Sequence, residues 1–293
     1  MGPMSQAISS RPGARLSRRA FLAGAAVSAL PVPGWDMRLS TSSVHFSSLP
    51  VERACEQIAA LGFEAVDFWP SYFKCPHLDE IETRLGAEGL RELLAKNKLR
   101  LYAFTCYHTS YSKYAEILGK AGHGVAVRES KYGKFENLAA EMKSFLESLK
   151  PELGLAEKYD SYLAIENHGS ALLNALDSFK AFVEMNRSPR LGIALAPYHL
   201  QAAGISVEEV ISIVGKQLLF FYAWQKADGL EQLPGVGPAD FSPWLASLAK
   251  VQYSWYVNPF MHGPVPVEVI SRSLAGSRRY LMDCRAKLRR ING

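Results

Sequence analysis

The feature that most constrains the fold is an alternation that runs from Met37 to the C-terminus. Short runs of β-branched and aromatic residues alternate with longer stretches of helical periodicity. This alternation is typical of repeated β-α units, which form a parallel sheet covered by helices. Eight such units can be counted. The predicted strands are residues 37–44, 65–69, 100–106, 125–128, 162–166, 191–195, 218–223 and 254–257.

Helical patterns fill the intervals between the strands. The predicted helices are residues 51–61, 81–96, 112–120, 135–158, 171–185, 207–214, 241–249 and 267–288. Eight units close a barrel, so the sequence predicts a single α/β domain over residues 37–293, a (β/α)8 TIM barrel. An open doubly wound sheet would place a glycine-rich phosphate turn after the first strand, where residues 41–46 contain no glycine.

The first 36 residues have the layout of a targeting segment. Paired Arg18 and Arg19 precede an apolar stretch, residues 21–30, which ends in small residues. The order Ser-Arg-Arg-Ala-Phe-Leu resembles twin-arginine signals, whose carriers cross the export channel already folded. Residues 1–36 are therefore predicted to be a signal peptide and short linker. The implied partner is the twin-arginine export machinery, and the implied location is periplasmic or extracellular.

Charge and cysteine content narrow the range of partners. The formal net charge is +5, but residues 1–35 contain four arginines and no acid, so the mature chain carries about +1. This balance argues against a nucleic-acid partner. Pro31 and Pro33 interrupt the apolar stretch well short of a bilayer span of roughly 20 residues, so no stable membrane span is expected. Four scattered cysteines do not form a disulfide framework.

The histidines gather after the predicted strands. In (β/α)8 barrels the active site lies at the carboxyl ends of the strands, where the strand-to-helix loops converge. Six of the seven histidines follow a predicted strand: His45, His77, His108, His168, His199 and His262. If such loops make up about a quarter to a third of a barrel, chance would place only about two there. Each histidine alone could be a packed structural residue, but the group predicts an imidazole-rich rim.

Other polar and aromatic residues fall on the same predicted rim. They are Trp69, Tyr107, Arg128, Glu129, Glu166, Asn167, Gln225 and Asn258. Hydrogen-bonding groups with aromatic walls suit a polyhydroxylated ligand, so a small-molecule carbohydrate is the expected partner. The alternative reading of Trp69 and Tyr107 is that they only cap the barrel core.

Several segments resemble the sugar phosphate isomerase/epimerase group of xylose-isomerase-like barrels. The resemblance covers residues 37 to the C-terminus. It rests on Glu166-Asn167-His168 at the fifth strand, Pro197-Tyr198-His199 at the sixth, Gly235 to Phe241 after the seventh and Asn258 to His262 at the eighth. It implies a TIM barrel with sugar chemistry.

The resemblance also implies a divalent metal held by four side chains. Family members usually supply Glu, Asp, His and Glu from strands five to eight. Here Glu166 matches the first, but Ala196 and Asn258 stand at the sixth and eighth strands, and the seventh offers Trp224 and Gln225. Three of the four ligands are therefore missing, which disfavours a hard cation such as Mn²⁺.

Two alternatives for the metal stay open. One is an imidazole-rich zinc site built from Glu166, His199 and His262, with His168 beside them. The other is a protein that works without a metal. The sequence carries no signal of the oligomeric state.

Two classes of function follow. The first is an exported isomerase or epimerase of a sugar or keto-sugar, or a keto-glycoside lyase, acting by proton transfer next to a carbonyl. Glu166 is the expected base, and His168 and His199 stabilise or shuttle protons. The substrate-binding residues would be His45, Trp69, Tyr107, His108, Arg128, Asn167, Gln225, Asn258 and His262. The second is a non-catalytic sugar-binding barrel that has lost the family's metal site.

Overall fold

The strands close into a barrel. In a computed structural model, which describes residues 35–291, eight parallel strands pair in the order β1 to β8, and β8 pairs with β1. This confirms the predicted (β/α)8 TIM barrel. The strands are β1 Arg38–Ser42, β2 Ala65–Phe68, β3 Arg100–Thr105, β4 Val125–Glu129, β5 Tyr162–Glu166, β6 Leu191–Leu195, β7 Leu218–Ala223 and β8 Tyr256–Pro259.

Helices surround the barrel. Within residues 35–291 the α-helices are α1 Val51–Ala60, α2 His77–Glu80, α3 Gly86–Lys96, α4 Tyr111–Gly122, α5 Leu138–Ser148, α6 Lys150–Lys158, α7 Leu176–Met185, α8 Pro197–Ala203, α9 Val207–Val214, α10 Ser242–Lys250 and α11 Val267–Ile291. Shorter 3-10 segments cover Ser43–Phe46, Ser71–Phe73, Gly215–Gln217 and Gly229–Gln232, and a π-helical turn covers Ile81–Leu85. None of the helices in this part of the chain has both the length and the apolar character needed to cross a bilayer.

Proline explains two departures from the predicted helices. The predicted helix 135–158 is two helices, α5 and α6, because Pro151 lies at the first turn of α6 and cannot continue α5. No helix was predicted over residues 197–203, but α8 covers them and begins at Pro197. Proline is well suited to the first helical turn, where its missing N–H would have no partner. As a result, Tyr198 and His199 are presented from a helix.

The core has two layers, and the inner one supports the carboxyl ends of the strands. Apolar residues from the helices pack on the outside of the barrel, while a second cluster fills its interior. Side chains of a strand alternate between the two layers. On β7, Phe220 and Tyr222 face the interior, and Trp224 continues this series just beyond the strand. The barrel is therefore packed solid below its carboxyl end.

The packed chain includes Trp35, two residues before the predicted start of the barrel. Trp35 is only 8% exposed, belongs to the core cluster, and donates its indole N–H to the Tyr253 carbonyl at 2.6 Å. Asp36 accepts a hydrogen bond from Arg285 at the far end of α11. A signal-peptide cleavage that spared this packing would have to fall before Trp35. Residues 1–34, where the predicted signal lies, are outside the described residues.

Trp35 gives a test of this boundary. The change Trp35→Ala should lower the free energy of unfolding by about 3 kcal/mol, because it removes a buried aromatic side chain and leaves a cavity. Trp35→Phe keeps most of the packing and loses one hydrogen bond, so its cost should be clearly smaller. Urea denaturation of the two variants and the wild type measures both values. A Trp35→Ala cost below about 0.5 kcal/mol, typical of a surface position, would show that the fold does not depend on residue 35.

Candidate active site

A cavity opens at the carboxyl end of the barrel, bounded by loops that follow several strands. Its volume is about 390 Å³. The lining is mostly aromatic and imidazole: Trp69, Tyr72, Phe73, Tyr107, His108, Tyr132, Glu166, His168, Tyr198, His199, Tyr222, Trp224, Gln232, Phe260 and His262. Among these lining residues, Glu166 is the one carboxylate, and none is a lysine or arginine. The volume falls within the range of small-molecule sites.

Glu166 is the buried acid of this cavity. It is the last residue of β5 and is 6% exposed. The Tyr107 hydroxyl donates a hydrogen bond to its carboxylate. Burial, together with the nearby carboxylate of Asp67, raises the pKa of Glu166 well above its ordinary value. A carboxylate with a raised pKa is a stronger base than a solvated one, which suits it to remove a proton from carbon.

The histidine nearest Glu166, His199, has a lowered pKa and is neutral at neutral pH. The Nε2 atom of His199 lies 4.0 Å from Oε1 of Glu166, and the ring centroids of His199 and His168 are 4.0 Å apart. Burial, followed by the neighbouring His168 and His262, lowers the pKa of His199 to about 3. Desolvation among its aromatic neighbours and the nearby His168 also lower the pKa of His262, although part of that residue stays exposed. Neutral imidazoles can donate or accept a hydrogen bond at neutral pH.

Aromatic side chains form two stacked pairs on the wall. Trp69 stacks on Phe260 with ring centroids 5.2 Å apart and planes at 20°. Tyr198 stacks on Trp224 at 4.3 Å and 13°. The Trp224 indole N–H donates to Gln232 at 2.7 Å, which fixes the ring. These rigid apolar faces can pack against the C–H faces of a sugar ring.

A second buried carboxylate, Asp67, was not singled out from the sequence. It lies in the middle of β2 with no solvent exposure and accepts hydrogen bonds from Ser42 at 2.8 Å, Thr105 at 3.0 Å and the Trp69 indole at 2.5 Å. Burial, opposed by these hydrogen bonds, raises the pKa of Asp67 to about 7. A charged residue inside the apolar run Ala65–Phe68 was the available signal, because Asp is rarely fully buried without partners.

Tyr222, also missed, lies on the floor of the cavity. It is 1% exposed, and no hydrogen bond of ordinary geometry joins its hydroxyl to any described residue. The negative charges of Glu166 and Asp67 contribute, after burial, to raising its pKa. It therefore lies close to both carboxylates. Tyr222 is one aromatic residue among several in β7, so nothing in the sequence distinguishes it.

The structure brings together seven of the predicted site residues on the cavity wall. They are Trp69, Tyr107, His108, Glu166, His168, His199 and His262. The remaining predicted residues, His45, Arg128, Asn167, Gln225 and Asn258, do not line this cavity.

Arg128 turns away from the cavity. Its guanidinium pairs with Glu152 of α6 and lies 3.7 Å from Glu129. Because side chains of a strand alternate, Val127 faces the interior and Arg128 faces the helices. The expectation that Arg128 binds substrate is corrected by this placement.

Three other predicted binding residues hold the scaffold instead. Asn167 exchanges hydrogen bonds with the backbone of Ala196, at 2.7 and 3.1 Å. Gln225 ties the loop after β7 through the Leu233 carbonyl and the Ala239 N–H. Asn258 accepts from Ser40 and donates to Ser42 inside the barrel. Their amides are used in positioning the strand ends, so their role is to support the site.

His45 is also structural. It is buried below the cavity, where its Nε2 accepts the Met261 N–H at 3.3 Å and its Nδ1 lies 3.1 Å from the Thr41 hydroxyl. His77 is likewise buried, with Nε2 against the Leu49 carbonyl. His123 lies near Asp160, between α4 and β4, at the opposite end of the barrel.

The residues present do not fit the family's four-ligand metal site. Ala196 has no donor side chain, and the amides of Gln225 and Asn258 are engaged elsewhere. The side chains of the alternative set, Glu166, His199 and His262, are not arranged around one metal position either. Within residues 35–291, no group of three or more His, Cys, Asp or Glu side chains is arranged to hold a metal ion.

Comparison with known proteins places this barrel in a family. The model of the xylose isomerase-like TIM barrel matches residues 55–264, most of the chain. The chain belongs to this family. No curated protein matches the sequence.

Solved structures of the family share its fold at low identity. The 3-keto-D-glucoside 4-epimerase YcjR from E. coli superposes with a TM-score of 0.65 at 16% identity, covering 83% of this chain and 100% of that one. The IolI protein, whose structure contains zinc, gives 0.67 at 16%, covering 86% and 99%. D-psicose 3-epimerase, solved with D-fructose, gives 0.64 at 17%, covering 86% and 100%. At such identities these similarities establish the xylose isomerase-like fold alone.

The structural role of His45 predicts a pH effect on stability. Burial lowers the pKa of His45 to about 3, whereas an unfolded histidine titrates near 6.5. Below pH 6.5, His45 becomes protonated in the unfolded chain but stays neutral in the folded chain. The free energy of unfolding therefore falls as the pH drops toward 3. At pH 5 this single group should cost about 2 kcal/mol.

The variant His45→Gln removes this titration and keeps an acceptor for the Met261 N–H. It should be less stable than wild type at pH 7.5, and the gap should narrow by about 2 kcal/mol at pH 5. Urea denaturation at the two pH values measures the gap. Parallel pH profiles for the two proteins would contradict a neutral, buried His45.

Proposed function

We propose that this protein is a carbohydrate-active enzyme that isomerises or epimerises a sugar or keto-sugar by moving a proton next to a carbonyl. The observation that supports this most is Glu166, a buried carboxylate with a raised pKa in an aromatic cavity, with neutral His199 beside it. Family membership favours sugar chemistry, and the neighbours include sugar epimerases.

The cavity favours an uncharged substrate. No lysine or arginine is among the lining residues, and the predicted rim arginine, Arg128, is paired with Glu152 on the outside of the barrel. A phosphate group would therefore find no cation. A free sugar or a glycoside meets aromatic faces and imidazoles instead, which suits ring C–H faces and hydroxyl groups.

The proposed chemistry needs a base and a hydrogen-bond donor. Glu166 takes the proton from the carbon next to the carbonyl, and the electrons of that C–H bond form a double bond as the carbonyl oxygen becomes an enediolate oxygen. A neutral His199, donating through its ring N–H, stabilises this oxygen, and His168 beside it assists proton movement. For isomerisation a proton returns to the former carbonyl carbon while the hydroxyl proton of the neighbouring carbon moves to the former carbonyl oxygen, so that the carbonyl forms on that neighbour. For epimerisation a proton reaches the original carbon from the face opposite Glu166, and the carbonyl re-forms in its original place. If a leaving group stands next to the carbanion, the same first step leads to elimination from a keto-glycoside.

A second candidate is a non-catalytic sugar-binding barrel. It is favoured by one observation: three of the positions where the family places metal ligands carry side chains that are absent or engaged elsewhere. In that case the aromatic cavity would bind sugar without turnover.

We also propose that the protein acts outside the cytoplasm. The support is the sequence of residues 1–36, with Arg18 and Arg19 ahead of an apolar stretch. A periplasmic or extracellular location fits free sugars and glycosides better than sugar phosphates. Fusion of residues 1–36 to a reporter that is active only after export, with Arg18→Lys and Arg19→Lys together as control, tests this location.

The Glu166→Gln variant tests the enzymatic proposal. With D-fructose and a methyl 3-keto-D-glucoside as probes, wild-type protein in D₂O should incorporate deuterium next to the carbonyl, detected by NMR. Loss of a general base should slow this exchange by about 10² to 10⁴-fold. Glu157→Gln, on the exposed face of α6, is the matched control and should exchange like wild type.

Tryptophan fluorescence titration with the same sugars separates the two candidates. If the wild-type protein binds these sugars without deuterium exchange, the enzymatic proposal is contradicted for these probes and the sugar-binding barrel is supported. Exchange that survives in Glu166→Gln would show that another group is the base.

The proposal also predicts a pH profile. Glu166 acts as a base only when ionised, so the exchange rate should fall as pH drops through its raised pKa and should rise toward alkaline pH. His199, whose pKa is lowered to about 3, should add no second limb between pH 5 and 8. Initial rates of deuterium incorporation across pH 5 to 9 measure this. A rate that is independent of pH in that interval would contradict Glu166 as the titrating base.

A further inference from the structure

Two exposed tyrosines lie at the mouth of the cavity. Among residues 35–288, whose side chains the structure describes, the large hydrophobic side chains that stay exposed are Tyr72 at 59%, Tyr132 at 48% and Val236 at 44%. Both tyrosines line the cavity, whereas Val236 does not. Tyr72 follows β2 and Tyr132 follows β4, so they come from different loops of the rim. Exposed aromatic rings grouped at the mouth of a pocket mark a binding surface more often than scattered ones do.

The backbone fixes both rings in place. Tyr72 lies in the 3-10 turn Ser71–Phe73, which begins at a Ser71 N–H bonded to Asp79 at 2.8 Å. Tyr132 forms an antiparallel bridge with Ala171 of the loop after β5. On either side of that bridge, Gly133 donates to Ser170 at 3.0 Å and Leu172 to Lys131 at 2.7 Å. The exposure is therefore built into ordered loops.

Each tyrosine packs on a histidine of the cavity. The ring centroids of Tyr72 and His108 are 4.3 Å apart, and those of Tyr132 and His168 are 5.4 Å apart. His108 adopts a left-handed backbone conformation, with φ of 53°, which is unfavourable for a residue other than glycine. The mouth therefore has an outer aromatic pair, Tyr72 and Tyr132, each backed by an imidazole.

The inner and outer parts of the cavity differ in polarity. Of the polar groups that could direct chemistry, Glu166 is buried, the His199 side chain is 13% exposed, and Gln232 is 8% exposed. The outer aromatic pair is exposed and offers ring faces without a carboxylate or a cation of its own. A ligand that reaches both parts would carry a reacting sugar inside and a second, apolar-faced ring outside.

We propose that the outer aromatic pair is a second-ring subsite, which makes the substrate a glycoside rather than a free monosaccharide. This inference rests on the proposed function only for the identity of the inner ring as a sugar. The second ring can be an aryl group or another sugar, because both present a flat apolar face to an aromatic side chain. The geometry assigns the sugar to Glu166 and the second ring to Tyr72 and Tyr132.

Binding of glycosides that cannot react tests this subsite separately from catalysis. The probes are methyl glucoside, phenyl glucoside and methyl cellobioside, with both anomers of the first two, and calorimetry on the wild-type protein measures their affinities. Phenyl glucoside or methyl cellobioside should bind about tenfold more tightly than methyl glucoside, the difference expected from one or two aromatic contacts. Tighter binding of phenyl glucoside alone would identify an aryl group as the second ring, and tighter binding of methyl cellobioside alone would identify a second sugar.

Variants show which residues cause the increase in affinity from the second ring. Tyr72→Ala with Tyr132→Ala should abolish the preference for the second ring and leave the affinity for methyl glucoside unchanged. Tyr72→Phe with Tyr132→Phe keeps the rings and should retain the preference, and Val236→Ala, an exposed apolar residue away from the cavity, should match wild type.

The proposal is overturned if the three probes bind equally, if none binds, or if the preference survives in the double alanine variant. Because these probes have no keto group, a failure of deuterium exchange would leave the binding result intact. The two proposals can therefore fail independently.

Discussion

The structure depends on a carboxylate that lies where water cannot reach. Asp67 is inside the barrel, and its three donors come from β1, β3 and the residue that follows β2. Ser42, one of these donors, also accepts from Asn258 on β8, so the network joins four consecutive strands around the closure of the barrel. An unpaired charge at this depth would cost several kcal/mol, so the network is strongly specified. Its uppermost member is Trp69, which the network holds as a wall of the cavity.

The same carboxylate acts on the site through its charge. Glu166 and Asp67 face a common interior with little solvent to screen them, and each ionised form disfavours the other. Tyr222 lies close to both, and their negative charges add to the effect of burial in raising its pKa. The acid at the end of β5 is thus tuned by residues on the opposite side of the barrel. This explains how one carboxylate can be basic in a cavity where no metal cluster forms among the described residues.

The fold could be predicted from the sequence because its signal is periodic and repeated. Strands β5, β6 and β7 have the predicted bounds, since each is a compact apolar run with clear ends. The residues of the candidate site were harder to predict. A residue lines the cavity only if it lies near the carboxyl end of a strand and its side chain also points into the barrel. Arg128 is the penultimate residue of β4 and faces outward, whereas Glu166 is the last residue of β5 and faces the cavity. Proximity to a strand end does not distinguish these two residues. Because side chains alternate along a strand, an error of one residue in the predicted position reverses the side to which a side chain is assigned.

Amides were misassigned for a related reason. Asn167, Gln225 and Asn258 stand at strand ends, as binding residues would, but strand ends also carry backbone groups that need partners. Asn167 satisfies both the N–H and the carbonyl of Ala196, and Gln225 closes the loop from Gln232 to Ala239. No pattern in the sequence separates an amide that binds a ligand from one that binds the backbone. Aromatic residues were underestimated for the opposite reason, since Tyr72 and Tyr132 look like ordinary loop residues until the fold brings them to one mouth.

The division of the cavity into a buried polar part and an exposed aromatic part bears on what the missing metal ligands mean. A metal held by the family's four side chains would help to orient a sugar, and the residues present here do not fit that four-ligand site. Contacts with a second ring at the mouth would restore that orientation at a distance from the reacting carbon. Binding energy from a remote part of a substrate can position the reacting part, because holding a substrate in place lowers the entropic barrier. If the proposed glycoside is the substrate, contacts of its second ring with Tyr72 and Tyr132 would orient the reacting sugar without a metal at these positions.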